Sequence, residues 1–260
     1  MKVWLTFDYE LFFGTPTGTV EKCMLEPTER LLELSEKFNA SFTYFVDAGF
    51  LLKLHELGGS FPELLDQHQQ IAEQLNRLIA KGNDVQLHIH PHWELTDYHD
   101  GRWIIPQDRG YRLDEFNKQE AHEIFTKYKN HLDGIIGRKT NAYRAGGWCI
   151  QPFMHIQDAF LKNKMHYDSS VVPGMEFNAG VYKIDFTNAP MDLDMWCFDI
   201  DPVAVNRNGR FVEVPISATE YRPWFYWELY LRGRLNKKKH RFVGDGSYIP
   251  QPGRKWQTLT

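Results

Sequence analysis

The chain predicts a single α/β domain built on a parallel sheet or barrel, and three observations carry that expectation. Short apolar or β-branched runs alternate with stretches whose apolar residues recur at helical spacing. The side chains best suited to chemistry, namely Asp8, Glu10, the clustered histidines, Arg144 and Asp168, fall at the carboxyl ends of the runs read as strands. A length of 260 residues with 42% hydrophobic content is enough for one large core, and no composition break marks a linker. Residues 1–260 are therefore expected as one domain, with a more irregular C-terminal part beyond Gly174.

Val3 to Phe7 reads as the first strand, closing in the acidic group Asp8-Tyr9-Glu10. Pro27-Thr28-Glu29 opens a helix with Leu31, Leu34 and Phe38 as its apolar positions. Ala40 to Val46 is a second strand, ending at Asp47. The next helix spans Pro62 to Ala80, with Leu64, His68, Ile71, Leu75, Leu78 and Ile79 on one face and Gly82 as its stop.

A strand from Val85 to Ile89 leads into the histidines, and Trp93 to Leu113 is expected as a long polar and aromatic loop. Ala121, Ile124, Phe125, Tyr128 and Leu132 mark a third helix, Ala142 to Arg144 a strand, and Pro152 to Asn163 a fourth helix leading to Tyr167-Asp168. Val181 to Phe186, Met195 to Ile200 and Phe211 to Ile216 read as late strands, and Trp224 to Arg232 as a helix.

His88, His90 and His92 place three of the eleven histidines within five positions. On an extended backbone His88 and His90 point to one face. Pro91 cannot donate to a sheet, so the strand ends there and His92 can turn back beside them. Converging neutral imidazoles suit zinc or a similar divalent ion.

The formal net charge of −4 gives no electrostatic case for nucleic acid, and the one basic run, residues 237–241, reads as a solvated loop. Cys23, Cys149 and Cys197 form no disulfide framework. With no signal-peptide h-region and no membrane-spanning run, a cytoplasmic protein is the expectation.

Leu5-Thr6-Phe7-Asp8-Tyr9-Glu10 resembles the first motif of the polysaccharide deacetylases (the NodB-homology domain, carbohydrate esterase family four), usually Thr-Phe-Asp-Asp-Gly. Residues 40–46 are similar to that family's second strand. Gly82-Asn83-Asp84-Val85-Gln86-Leu87-His88 with His92 is similar to its His-Ser/Thr-x-x-His motif, Tyr143-Arg144-Ala145-Gly146-Gly147-Trp148 to its third, and Tyr167-Asp168-Ser169-Ser170 to the segment around its fourth. The resemblance covers roughly residues 1–216 in family order.

It implies a distorted (β/α) barrel of about seven parallel strands and a metal-dependent hydrolase that removes an N-acetyl group from an amino sugar in surface polysaccharide biosynthesis. Its substrate would be a nucleotide-linked, lipid-linked or oligosaccharide form. Carried over residue by residue, Asp8 is the general base, and His88 and His92 are metal ligands. Tyr9 stands where the family has its metal-binding aspartate, and Glu10 takes that role on the same strand face. The cofactor implied is a divalent ion, zinc first. Arg144 would hold Asp8 through a charge-assisted bond, and Asp168 would tether Arg144 or the acid. Trp93 and Trp148, with Trp103, offer sugar-stacking surfaces. The family's late-strand histidine, a general acid, has no counterpart in Val212-Glu213-Val214-Pro215-Ile216. His240 is the only later histidine, and His90 or His99 are the substitutes. The pair His88-x-His90 also resembles that of the amidohydrolases, and a catalytically inactive carbohydrate-binding domain that keeps its metal is the other alternative.

Overall fold

The computed structural model describes residues 3–13, 17–218 and 223–235; the basic run and His240 lie outside them. Its elements in chain order are β1 (Thr6–Tyr9), α1 (Glu26–Phe38), β2 (Thr43–Asp47), α2 (Ala48–Leu57), α3 (Pro62–Ala80), β3 (Asp84–Ile89), β4 (Asp97–His99) and β5 (Arg102–Ile104). These are followed by α4 (Lys118–Ile136), β6 (Ala142–Ala145), α5 (Gln157–Lys162), β7 (Tyr167–Asp168), β8 (Glu176–Ala179), β9 (Tyr182–Asp185), β10 (Trp196–Phe198), β11 (Phe211–Glu213) and α6 (Pro223–Leu235).

Seven strands form one sheet in the order β1-β2-β3-β6-β7-β11-β10. The pairings from β1 through to β11 are parallel, and β10 joins β11 antiparallel. The α/β class holds. The expected seven parallel strands become six, because β10 and β11 follow one another without the helical crossover that a parallel pair needs. Among the described residues no pairing joins β10 to β1, so the sheet stays open between these edges.

Individual elements moved for identifiable reasons. The first strand runs Thr6–Tyr9 rather than from Val3, because its register is set by residues 43–46 of β2; Asp8 thus lies within the strand. Helix α1 buries Thr28, Leu32 and Ser35, while Leu34 and Phe38 are exposed. The adjacent pair Leu31-Leu32 allows either face, and the helix buries the second.

Helix α3 and the apolar face of α4 lie where their periodicity puts them. The expected loop from 93 to 113 contains the β4–β5 hairpin, and the strand expected at 181–186 pairs with β8 outside the main sheet. Pro152 to Asn163 holds only a short helical turn and α5.

Helix α2 carries no clear sequence signature. It starts directly from β2, and its Gly49 lets the backbone lie against Trp93 and Tyr128: a Cβ there would meet Tyr128 Cε2 at 2.4 Å and Trp93 Cδ1 at 2.9 Å. Both rings are fully buried and have nowhere to move. Gly49→Ala is therefore expected to cost about 1–3 kcal/mol in urea denaturation, and an unchanged midpoint would show that the two rings have slack.

Candidate functional site

Parallel pairing brings the carboxyl ends of β1, β2, β3, β6 and β7 to one rim. The register sets Asp47 beside His88 and His88 beside Arg144. Thr6, Asp8 and Glu10 alternate onto one face of β1 and its extension. His88 and His90 do the same on β3 and the residue beyond it.

Three of these side chains converge. Glu10 Oε2 lies 2.7 Å from His90 Nε2 and 3.1 Å from His88 Nε2, and the two Nε2 atoms are 3.1 Å apart. His88 Nδ1 donates to the Arg144 carbonyl oxygen at 2.8 Å, which leaves Nε2 as a lone pair in the neutral ring. The same outer hydrogen bond is what orients metal-ligating histidines generally. Three facing lone pairs are stable only with a proton or a cation among them. The donor set of two imidazoles and one carboxylate, with all three atoms mutually close, fits a divalent ion.

The electrostatics agree. Burial alone would pull His88 down, yet the carboxylates of Asp8, Glu10 and Asp47 outweigh it and raise the imidazole to about 9. Burial alone would push Glu10 up, and the His90 and His88 imidazoles hold it well below the usual carboxylate range instead. Positive charge is favoured at this spot, whatever supplies it.

Arg144 organises the neighbouring half of the rim. Its guanidinium donates to Asp8 Oδ1 at 2.7 Å, Thr6 Oγ1 at 2.9 Å, the Ser169 carbonyl at 2.8 Å and Ser169 Oγ at 3.0 Å. It also lies over the Phe45 ring. Arg144 is buried, whereas Asp8 keeps 30% of its side chain exposed, so the arginine aims a reachable carboxylate. Gly146 follows directly, where a Cβ would come within 2.6 Å of His90 Nδ1 and 2.7 Å of the Ile89 carbonyl. Only glycine lets this turn pass so close to the histidine.

His92 was expected as a ligand with Glu10 and His88, and His90 stands in that place. His92 is carried off by the turn that starts at Pro91, packs against Phe13 and Tyr111, and has no hydrogen-bond partner on either ring nitrogen among the described residues. Burial first, then His90, holds its imidazole well below the ordinary value. His99 is exposed on the β4–β5 hairpin, outside the cluster.

Trp93 cannot stack on a sugar. Its indole is fully buried against Phe50 and Trp103, and its N–H donates to Asp47 Oδ2 at 2.6 Å. Trp148 is half-buried just past Gly147, with a backbone φ of 61° that side-chain-bearing residues seldom adopt. Asp47 is a rim residue that sequence reasoning passed over, although it ends β2 beside His88. Burial raises its carboxyl, against the lowering pull of His90 and His88.

Asp168 is fully buried and makes no hydrogen bond to Arg144 or Asp8 among the described residues, so it cannot tether either directly. It accepts from Ser170 Oγ, which in turn accepts the Ala145 N–H. Its register partner on β11 is Glu213. Among the described residues Asp168 Oδ2 and Glu213 Oε2 are both buried without a partner unless one carboxyl carries a proton. Burial raises both, Asp168 to about 6 and Glu213 well above the ordinary range, where the Asp168 charge adds to the effect. The pair therefore shares one proton at neutral pH.

Together the fold and the rim define an α/β protein with a histidine–carboxylate cluster at the carboxyl edge of a largely parallel sheet. No protein-family model and no curated protein matches the chain. Solved structures do. One is a Mycobacterium smegmatis protein provisionally described as a polysaccharide deacetylase, at 17% identity and a TM-score of 0.44, covering 82% of this chain and 59% of that one. Another is a family 4 carbohydrate esterase from Streptomyces lividans, at 12% identity and a TM-score of 0.40, covering 64% and 60%. A third is a Bacillus anthracis pseudoenzyme of the same esterase family, at 10% identity and a TM-score of 0.37, covering 64% and 41%. The chain thus spans three-fifths or less of these structures' lengths. No helix among the described residues is long and apolar enough to cross a membrane.

The carboxyl pair yields a pH signature. Both groups are raised on folding, so their stabilisation is complete below the unfolded values near 4 and is lost as pH climbs through about 6 and beyond. Glu213→Gln retains a donor for Asp168 without a titrating proton. Between about pH 5 and pH 8 the wild type is expected to lose on the order of 2 kcal/mol more stability than this variant. Parallel pH profiles in denaturant titrations would refute the shared proton.

Proposed function

We propose that this chain is a metal-dependent hydrolase that removes an N-acetyl group from an amino sugar, in the manner of the deacetylases its motifs resemble. The observation that carries this reading is the close approach of Glu10 Oε2, His88 Nε2 and His90 Nε2 beside an Asp8 carboxylate clamped by Arg144. Glu10, His88 and His90 would hold the ion, and zinc suits that donor set. When bound, it supplies Lewis acidity that polarises the amide carbonyl and makes water more acidic.

The chain's own residues do the rest. Arg144 occupies one oxygen of Asp8, leaving the other to accept a proton from the attacking water. That proton passes to the leaving nitrogen as the amide C–N bond breaks and a C–O bond forms, giving acetate and a free amine. Asp8 serves in both directions, since the late strand offers only the buried Glu213. Asp168 acts as a positioning residue through Ser170, and Trp148 is the remaining candidate for stacking on a sugar ring. A nucleotide-linked, lipid-linked or oligosaccharide substrate of surface polysaccharide biosynthesis, met in the cytoplasm, fits the same reading.

Asp8→Asn is expected to lower acetate release from an N-acetylated oligosaccharide by 10²-fold or more with metal content unchanged. His90→Ala should lose the rim ion, and His92→Ala should keep it; the reverse pattern would return His92 to the ligand set. Metal binding without acetate release from any N-acetyl sugar would leave a carbohydrate-binding domain without catalysis. Turnover confined to other N-acyl compounds would point to an amidohydrolase.

A further inference from the structure

A second group of histidines lies away from the rim, where α2, α3 and α4 pack together. His55 comes from α2, His68 from α3 and His131 from α4. Their ring centroids form a nearly equilateral triangle: 5.3 Å from His55 to His68, 5.5 Å from His55 to His131 and 5.3 Å from His68 to His131. Three imidazoles bound to one tetrahedral ion at 2.0–2.1 Å would place their centroids roughly 5 Å apart.

Further detail supports a ligating role. The Nε2 atoms of His68 and His131 face each other at 3.1 Å. In a hydrogen bond between two neutral imidazoles one of the facing nitrogens is a lone pair, the form that ligates a metal. Burial, followed by His68 and His55, draws His131 down to about 4, and burial with His55 lowers His68. The neutral, ligating forms therefore prevail at neutral pH. His68 and His131 are half-buried and His55 is exposed, so the triangle opens to solvent on one side. Among the described residues only the rim cluster has all its ligand atoms within 4.8 Å of one another, so the exposed His55 has to turn its ring inward to complete this set.

We propose that His55, His68 and His131 form a second metal site, distinct from the rim, that takes a zinc-class divalent cation and ties α2, α3 and α4 together. The fourth position is left to water, as expected for a site of three histidines open on one side. The role is separate from hydrolysis and does not depend on it.

The test uses the full chain carrying Glu10→Ala, His88→Ala and His90→Ala, in which only the helical site can bind. Titration with Zn²⁺ is expected to show one bound equivalent and a higher melting temperature, and adding His55→Ala should weaken that binding at least tenfold. Because His55 is exposed, its replacement spares the core. In the otherwise wild-type chain, His55→Ala and His68→Gln should each reduce bound Zn²⁺ by one equivalent while the rim ion stays. Equal zinc stoichiometry in the wild type and both single variants overturns the proposal, however the triple variant folds.

Discussion

Lone pairs that face one another inside a protein repel, and the imidazoles of His88 and His90 are too deeply buried for water to relieve them. The rim depends on this constraint. Glu10, His88 and His90 are pressed together by strand register and by the outer bond from His88 to the Arg144 carbonyl. Their strongly opposed shifts, His88 upward and Glu10 downward, are the response of a site that selects positive charge. Arg144 satisfies the same demand next door, where its guanidinium spans β1 and the segment after β7.

Parallel topology explains why so few residues suffice. Asp47, His88 and Arg144 are level in the register near the carboxyl ends of three adjacent strands, and Asp8 lies one position before the end of β1, so these residues need no long loops to meet. The glycine after β6 then serves a packing purpose, since a side chain at Gly146 would displace His90. Fold and site are coupled at that point: the turn that ends β6 also fixes how near the histidine can come.

Much of this was legible in the sequence, and the failures are instructive. Helix α3 and the buried face of α4 followed from apolar periodicity, because each packs one clear stripe. His88 and Arg144 stood out because reactive residue types at strand ends are scarce. The choice between His90 and His92 was not legible, since both follow the strand within four residues and only the turn at Pro91 decides which ring stays inward. Trp93 misled for a related reason: an aromatic residue beside a site can as easily wall it as line it. The triangle of His55, His68 and His131 left no trace at all, because its members sit on three helices and meet only through tertiary packing.

The late strand shows how a buried pair limits what a strand end can offer the rim. On β11, Glu213 turns inward, accepts the Val171 N–H at 3.1 Å and shares a proton with Asp168. A carboxyl locked in that pair cannot reach the rim, so it stabilises the sheet and leaves proton transfer to others. His90 is engaged with Glu10, and His92 is enclosed by Phe13 and Tyr111. Asp8 and Glu10 keep 30% and 33% of their side chains exposed; Glu10 faces the two imidazoles, and Arg144 fixes the geometry of Asp8. On the hydrolase reading proposed above, Asp8 is the group that would take a proton from water and return it to the amine.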